Sequence, residues 1–296
     1  MELTLGPVLF EWKKEELIDF YEEVSRMPVD LVYLGEVVCS KKKGLKPKEV
    51  EEVARLLEGC GKRVAISTLA LVSNEEELKL VRELAELPFP IEANDMSALG
   101  IVDASKKDVF AGPHIEVYNR QTVEFLKKIG IKRITFPVEL PRDSIKYNIE
   151  NTGIAAEVFS HGNLPLAFSW RCYTSRAYGL KKHNCRRHCS MWPEGMELKT
   201  LKGERLFTIN GTSILSARPA TLIESIRDLE EIGVRALRIS PGRKHTKDTV
   251  NIFRETIDGK VSPKEALSEL RSIHGDEFVN GWYPGTAGKD YSPAGI

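Results

Sequence analysis

The chain has 296 residues, 42% hydrophobic and 29% charged, enough apolar material for the core of one large domain or two ordinary ones. Its 43 Lys and Arg balance its 43 Asp and Glu, which excludes a global field favouring nucleic acid or anionic membrane and leaves only local patches. Met1 to Pro7 lack the basic region and apolar stretch of a signal peptide, and no run approaches the roughly 18 apolar residues of a membrane span, so a cytoplasmic protein is expected. Gln121 is the only glutamine amid abundant Lys and Glu, a bias expected of thermophile proteins.

In chain order, Leu3 to Leu5 reads as a first strand, followed by an apolar stripe of Leu17, Phe20, Tyr21 and Val24 on an otherwise charged helix. Leu31 to Leu34 reads as a second strand. Val50, Val53, Ala54 and Leu57 then keep helical spacing up to Gly59 and Gly61, and Arg63 to Thr68 continue as a strand. Ser73 with Glu76 predicts a capping box at the next helix start. Strands are expected at Phe89 to Ile91 and Val109 to Ala111. The helix–Gly–strand unit returns with Val123, Leu126, Ile129, Gly130 and the strand Ile131 to Phe136. Ala155 to Phe159 reads as a strand. Leu222, Ile226, Leu229 and Gly233 lead into Val234 to Ser240, and Ser262, Pro263 and Glu265 open a last helix.

Alternating strands and helices imply a mostly parallel sheet, and about eight strands are enough to close a TIM-type barrel. An open doubly wound sheet is the alternative. One such domain over residues 1–296 is expected, interrupted by a cysteine-rich insertion at about 161–207 that breaks the alternation.

Three of the five cysteines, Cys172, Cys185 and Cys189, fall within that insertion. Were Cys185 to Cys189 helical, both thiols would share one face. Cys39 follows the second strand, and in a parallel barrel the loops after the strands share one rim, so it can join the other three. Four thiolates suit an iron–sulfur cluster or a structural zinc. Arg171, Arg176, Lys181, Lys182, Arg186 and Arg187 would favour the anionic sulfur. Cys60, between two glycines at a helix end, reads as structural.

At these residues the chain resembles the U32 peptidase-like family, and within it the ubiquinone-biosynthesis members. The stretches that carry this are Leu5 to Leu9, Tyr33 to Glu36, Val38 to Ser40, Ser67 to Val72, Pro137 to Leu140, His161 to Ala167, Arg171-Cys172 and the Cys185/Cys189 pair. Pro165 stands where many U32 members have cysteine, and Pro is what the ubiquinone-biosynthesis members show. Pro141 departs from the serine expected in that branch. The resemblance implies a barrel-like fold, a [4Fe–4S] cluster on Cys39, Cys172, Cys185 and Cys189, and a heterodimer with a UbiU-like sister protein. It also implies oxygen-independent hydroxylation of a quinone precursor, with a lipid-binding accessory protein as a further partner.

Proteolysis finds little support: there is no His-Glu-x-x-His, and Ser272-Ile-His274 is not a nucleophile elbow. Gly285 to Lys289 is too short for a P-loop. RNA hydroxylation is the alternative within the family, with Lys181 to Arg187 as a basic stretch and Tyr173, Tyr178 and Trp192 as stacking partners. Read as a solvated loop balancing cluster charge, that stretch makes nucleic acid an unexpected partner. A third alternative is a non-catalytic structural or electron-transfer subunit. Glu157 and His161, placed in or just after a barrel strand, are the expected substrate-pocket residues, and Glu36 is a further candidate.

Overall fold

The computed structural model describes residues 1–275 and 277–293. Its first half is a run of strand–helix units: β1 (Glu2–Leu5), α1 (Lys14–Val24), β2 (Leu31–Leu34), α2 (Pro47–Gly59), β3 (Arg63–Ser67) and α3 (Glu75–Glu86). There follow β4 (Ile91–Ala93), α4 (Met96–Ile101), β5 (Val109–Ala111), α5 (Arg120–Lys128), β6 (Ile131–Thr135) and α6 (Arg142–Thr152). A long strand β7 (Ala155–Phe168) leads to the short helix α7 (Tyr173–Ala177) and three further strands, β8 (Met196–Lys199), β9 (Arg205–Asn210) and β10 (Ser213–Thr221). The chain ends with α8 (Ile226–Glu231), β11 (Ala236–Ile239), α9 (Thr246–Ile257) and α10 (Pro263–His274).

Strands β1 to β7 pair in parallel in sequence order, and β11 pairs in parallel with both β1 and β7. Eight parallel strands therefore close on themselves, as the barrel expectation required. Alternation sorts the side chains. Leu3, Leu5, Val32, Leu34, Val64, Ile66, Leu237 and Ile239 face outward into the main core beneath the helices. Leu31, Tyr33 and Ala65, with Phe110 against them, fill one layer of the interior.

The antiparallel strands leave the barrel from β7. Strand β10 pairs with β7, β9 with β10, and β8 with β9. Residues 161–168, expected to open the insertion, instead continue β7, and the cysteine-bearing excursion starts after Phe168. Gly162 and Pro165 look like strand breakers in sequence. Pairing with β10, which carries register shifts around Leu215, accommodates both.

Other boundaries moved for local reasons. Asn74, not Ser73, caps α3: its side chain accepts from the Glu77 amide at 3.0 Å, while Ser73 donates through Oγ to Glu77 at 2.8 Å. β4 begins two residues later than expected, because Pro90 cannot donate to the ladder. The Ser262–Glu265 capping box is present.

Candidate functional site

The interior of the barrel is charged at mid-height. Glu157 is fully buried; it accepts from Thr4 at 2.7 Å, Tyr33 at 2.5 Å and Arg238 at 2.7 Å, with Arg133 at 3.4 Å. Arg238 also pairs with Glu92 at 2.6 Å, donates to Thr135 at 2.9 Å, and lies 3.9 Å from the centre of the Tyr33 ring. Ser67 donates to Glu92 at 2.6 Å. Burial pushes the Glu157 carboxyl up, but the guanidiniums of Arg238 and Arg133 outweigh it and hold it below the usual carboxylate range.

Above this layer lies the mouth formed by the strand C-terminal ends. Arg238, Glu92, Asn94, His114, Phe159 and Pro165 line a cavity of about 20 Å³ there. The Asn94 Oδ1 is buried and has no hydrogen-bond partner among the described residues. A Cβ on Gly112 would sit 2.0 Å from that oxygen, so only glycine leaves Asn94 its place. Burial, aided by Arg238, lowers the His114 imidazole to about 3, so it is neutral at pH 7.

His161 faces the other way. Its ring lies 5.7 Å from Phe253, 5.7 Å from Phe278 and 5.1 Å from His274, between the barrel wall and the outer helices. It lines neither the mouth nor the larger rim cavity described below. The expected pocket residue thus packs outside the barrel, because β7 shifts register beside Arg238 and Ile239 and turns residue 161 outward.

On the same rim, the loops after β1 and β2 meet the excursion. Glu36 accepts the amides of Val38 at 2.8 Å and Cys39 at 3.0 Å and pairs with buried Lys42 at 3.1 Å. It therefore shapes the Cys39 loop. Thr212, in the β9–β10 turn, donates to the Val38 carbonyl at 2.7 Å, and Lys41 donates to the Lys182 carbonyl at 3.0 Å. Arg187 reaches Glu11 of the first loop at 3.2 Å.

Cys172 is the N-cap of α7, its sulfur accepting from the Ser175 amide at 3.4 Å. The Cys185 sulfur accepts from the Arg187 amide at 3.5 Å. The stretch from Cys185 to Cys189 is not one helix. Arg186 and Arg187 take left-handed φ of 49° and 52°, and the two cysteines flank that kink. Burial first, then Glu11, raises the Cys189 thiol to about 12. Burial likewise raises Cys39. Cys60 is exposed at the C-cap of α2, before β3 and so at the opposite end of the barrel.

A zinc ion needs every sulfur within about 2.3 Å of one point, and among the described residues no three His, Cys, Asp or Glu side chains are so arranged. A cluster is several atoms across and takes thiolates set farther apart. Backbone amides aimed at the sulfurs, with lysines and arginines around them, suit its negative charge.

The sequence model of peptidase family U32 matches residues 19–292. The chain belongs to this family. Similar U32 relatives include the tRNA hydroxylation protein P1 of Bacillus subtilis, 24% identical over 93% of this chain and 72% of its own length. The 23S rRNA 5-hydroxycytidine C2501 synthase of Escherichia coli is 24% identical over 78% of this chain and 36% of its own. The tRNA hydroxylation protein P of Helicobacter pylori strain 26695 is 25% identical over 70% of this chain and 53% of its own. The chain thus spans between about a third and a half of these last two. All three names concern RNA, which speaks against the expectation that nucleic acid is no partner. No helix among the described residues is long and apolar enough to cross a membrane.

Sequence reasoning missed Asn94, His114, Glu92 and Arg238. Charged residues within short strands look solvent-facing until the barrel closes around them. The available signal was alternation: Glu92, Glu157 and Arg238 each stand between apolar neighbours in a strand.

Proposed function

We propose that this chain takes part in the oxygen-independent hydroxylation of a base in RNA, with Cys39, Cys172, Cys185 and Cys189 holding a [4Fe–4S] cluster. The observation that carries this reading is the alignment, over most of the chain, with relatives named for RNA hydroxylation. The gathering of these cysteine loops on one rim supports it. Bound there, a cluster supplies electron transfer at a potential set by its surroundings. The chain's own groups do the rest. Amides of Ser175 and Arg187 steady two sulfurs, Glu36 orients the Cys39 loop, and Arg187 pins the excursion to the barrel. At the mouth, Asn94 offers an acceptor and His114 a neutral imidazole to whatever enters.

A second reading is the hydroxylation of a ubiquinone precursor together with a UbiU-like sister protein. Pro165, which lines the mouth, favours it. One comparison separates the two. Removing the chain from its host and measuring both RNA nucleosides and quinones by mass spectrometry is expected to show a missing hydroxylated nucleoside and an unchanged quinone pool. The reverse pattern establishes the second reading. Anaerobic purification is expected to yield about four irons and four sulfides per chain, lost when any of the four cysteines becomes alanine and kept in Cys60→Ala. Stoichiometric zinc, or no metal, would sink the cluster.

A further inference from the structure

Beside Cys172 lies a cavity of about 490 Å³, the size of a nucleotide site rather than a water pocket. Its walls are mostly apolar, with Leu180 and the Trp170 ring among them, and its edge carries Lys41, Arg171, Arg176, Lys181 and Lys182. Trp170 is 60% exposed, a large cost in solvent for a tryptophan, and the Lys182 ammonium lies 6.0 Å from its ring centre. Among the described residues, Arg171, Arg176 and Lys181 form no ion pair with a carboxylate. Glu77 is the one acidic residue of the lining, and it is buried and already bonded to Ser40 and Ser73. In a chain of net charge zero, this is a local concentration of unpaired cations around an exposed aromatic face.

We infer that this cavity receives one unpaired nucleotide of a single-stranded RNA, its base stacked on Trp170 and the flanking phosphates held by Arg176, Lys181 and Lys182. The inference rests on the RNA reading above and adds the place and the form of the substrate. A duplex has no free base face to lay on the Trp170 ring, whereas a loop or an extruded nucleotide has one. Tyr178 and Trp192 do not share the task. The Trp192 indole donates to the Tyr178 hydroxyl at 2.9 Å, and Tyr178 packs against His188.

The test is the affinity of the anaerobically purified full chain for a fluorescein-labelled ten-nucleotide RNA, single-stranded or annealed to its complement. Single strand is expected to bind at least tenfold more tightly than duplex. Trp170→Ala is expected to lose about tenfold, within the range for one stacked base, and Trp170→Phe to recover most of it. Arg176→Glu with Lys181→Glu is expected to weaken binding and flatten the log–log salt dependence by more than one unit. Iron content and thermal midpoint, measured on each variant, separate a binding defect from misfolding. Equal affinity of wild type and folded Trp170→Ala overturns the inference, as does preferential binding of an isoprenoid phenol in competition. Were the variants to lose RNA while the host's nucleosides stayed unmodified by the wild type, the cavity assignment would stand and the hydroxylation reading would fall.

Discussion

Arg238 compensates two buried carboxylates, Glu157 and Glu92, with Arg133 also beside Glu157. Truncating one partner of such a set leaves an uncompensated charge in low dielectric, which costs about 3–5 kcal/mol. Glu157→Ala is therefore expected to lower urea stability at pH 7 by that amount, and Glu157→Gln by less, since its one amide oxygen can still accept from either Thr4 or Tyr33, which bond different oxygens of the carboxylate. A loss below about 1 kcal/mol for Glu157→Ala would mean that the interior relaxes or hydrates. His161 makes a second prediction. Burial, with His274 beside it, lowers its imidazole from 6.5 to about 3. The unfolded chain takes up that proton first, so the stability it contributes is complete above pH 6.5 and declines as pH falls towards 3. Among the described residues, the rings beside His161 are those of His274, with His245 and Asp248 beyond, and of Phe253 and Phe278. His161→Gln should remove up to one proton from the slope, about 1.4 kcal/mol per pH unit, seen in urea midpoints between pH 6 and 4. An unchanged slope would place the proton uptake elsewhere.

At the scale of elements, the excursion hangs on few anchors, and Arg187 is one that can be cut cleanly. Its φ of 52° is left-handed, so Arg187→Gly keeps the kink and deletes only the side chain that reaches Glu11. Faster amide exchange across residues 169–204, with β1 to β7 unchanged up to Phe159, is the expected result in hydrogen-exchange mass spectrometry. Protection equal to the wild type would show that Thr212 and Lys41 suffice. The elements differed in how readable they were. Barrel strands were legible because their apolar runs are short and bounded by the glycines of helix ends, as at Gly130 and Gly233. The end of β7 was not, since Gly162 and Pro165 argue locally against a strand that distant pairing with β10 sustains. The kink between Cys185 and Cys189 was equally hidden: two arginines in left-handed backbone carry no sequence mark.

For the whole molecule, closure of eight strands explains why a cysteine at residue 39 and three beyond residue 170 could be read as one site. Loops after parallel strands share a rim whatever their distance in sequence. The orientation of His161 was beyond such counting, because one register shift reverses a face. The architecture also separates two sources of stability. The barrel buries a continuous apolar core that includes none of the four rim cysteines, while the excursion is half-exposed and rich in turns. Cluster binding, as proposed, would deprotonate thiols that burial otherwise keeps protonated, and its free energy would accrue mainly to the excursion. Removing iron with a chelator under anaerobic conditions is therefore expected to leave the cooperative thermal transition of the barrel in place, shifted by only a few degrees. The same treatment should expose residues 169–204 to limited proteolysis. Collapse of the barrel transition on iron removal would instead make the cluster part of the folding core, and would assign the loops after β1 and β2 a structural role deeper than their packing indicates.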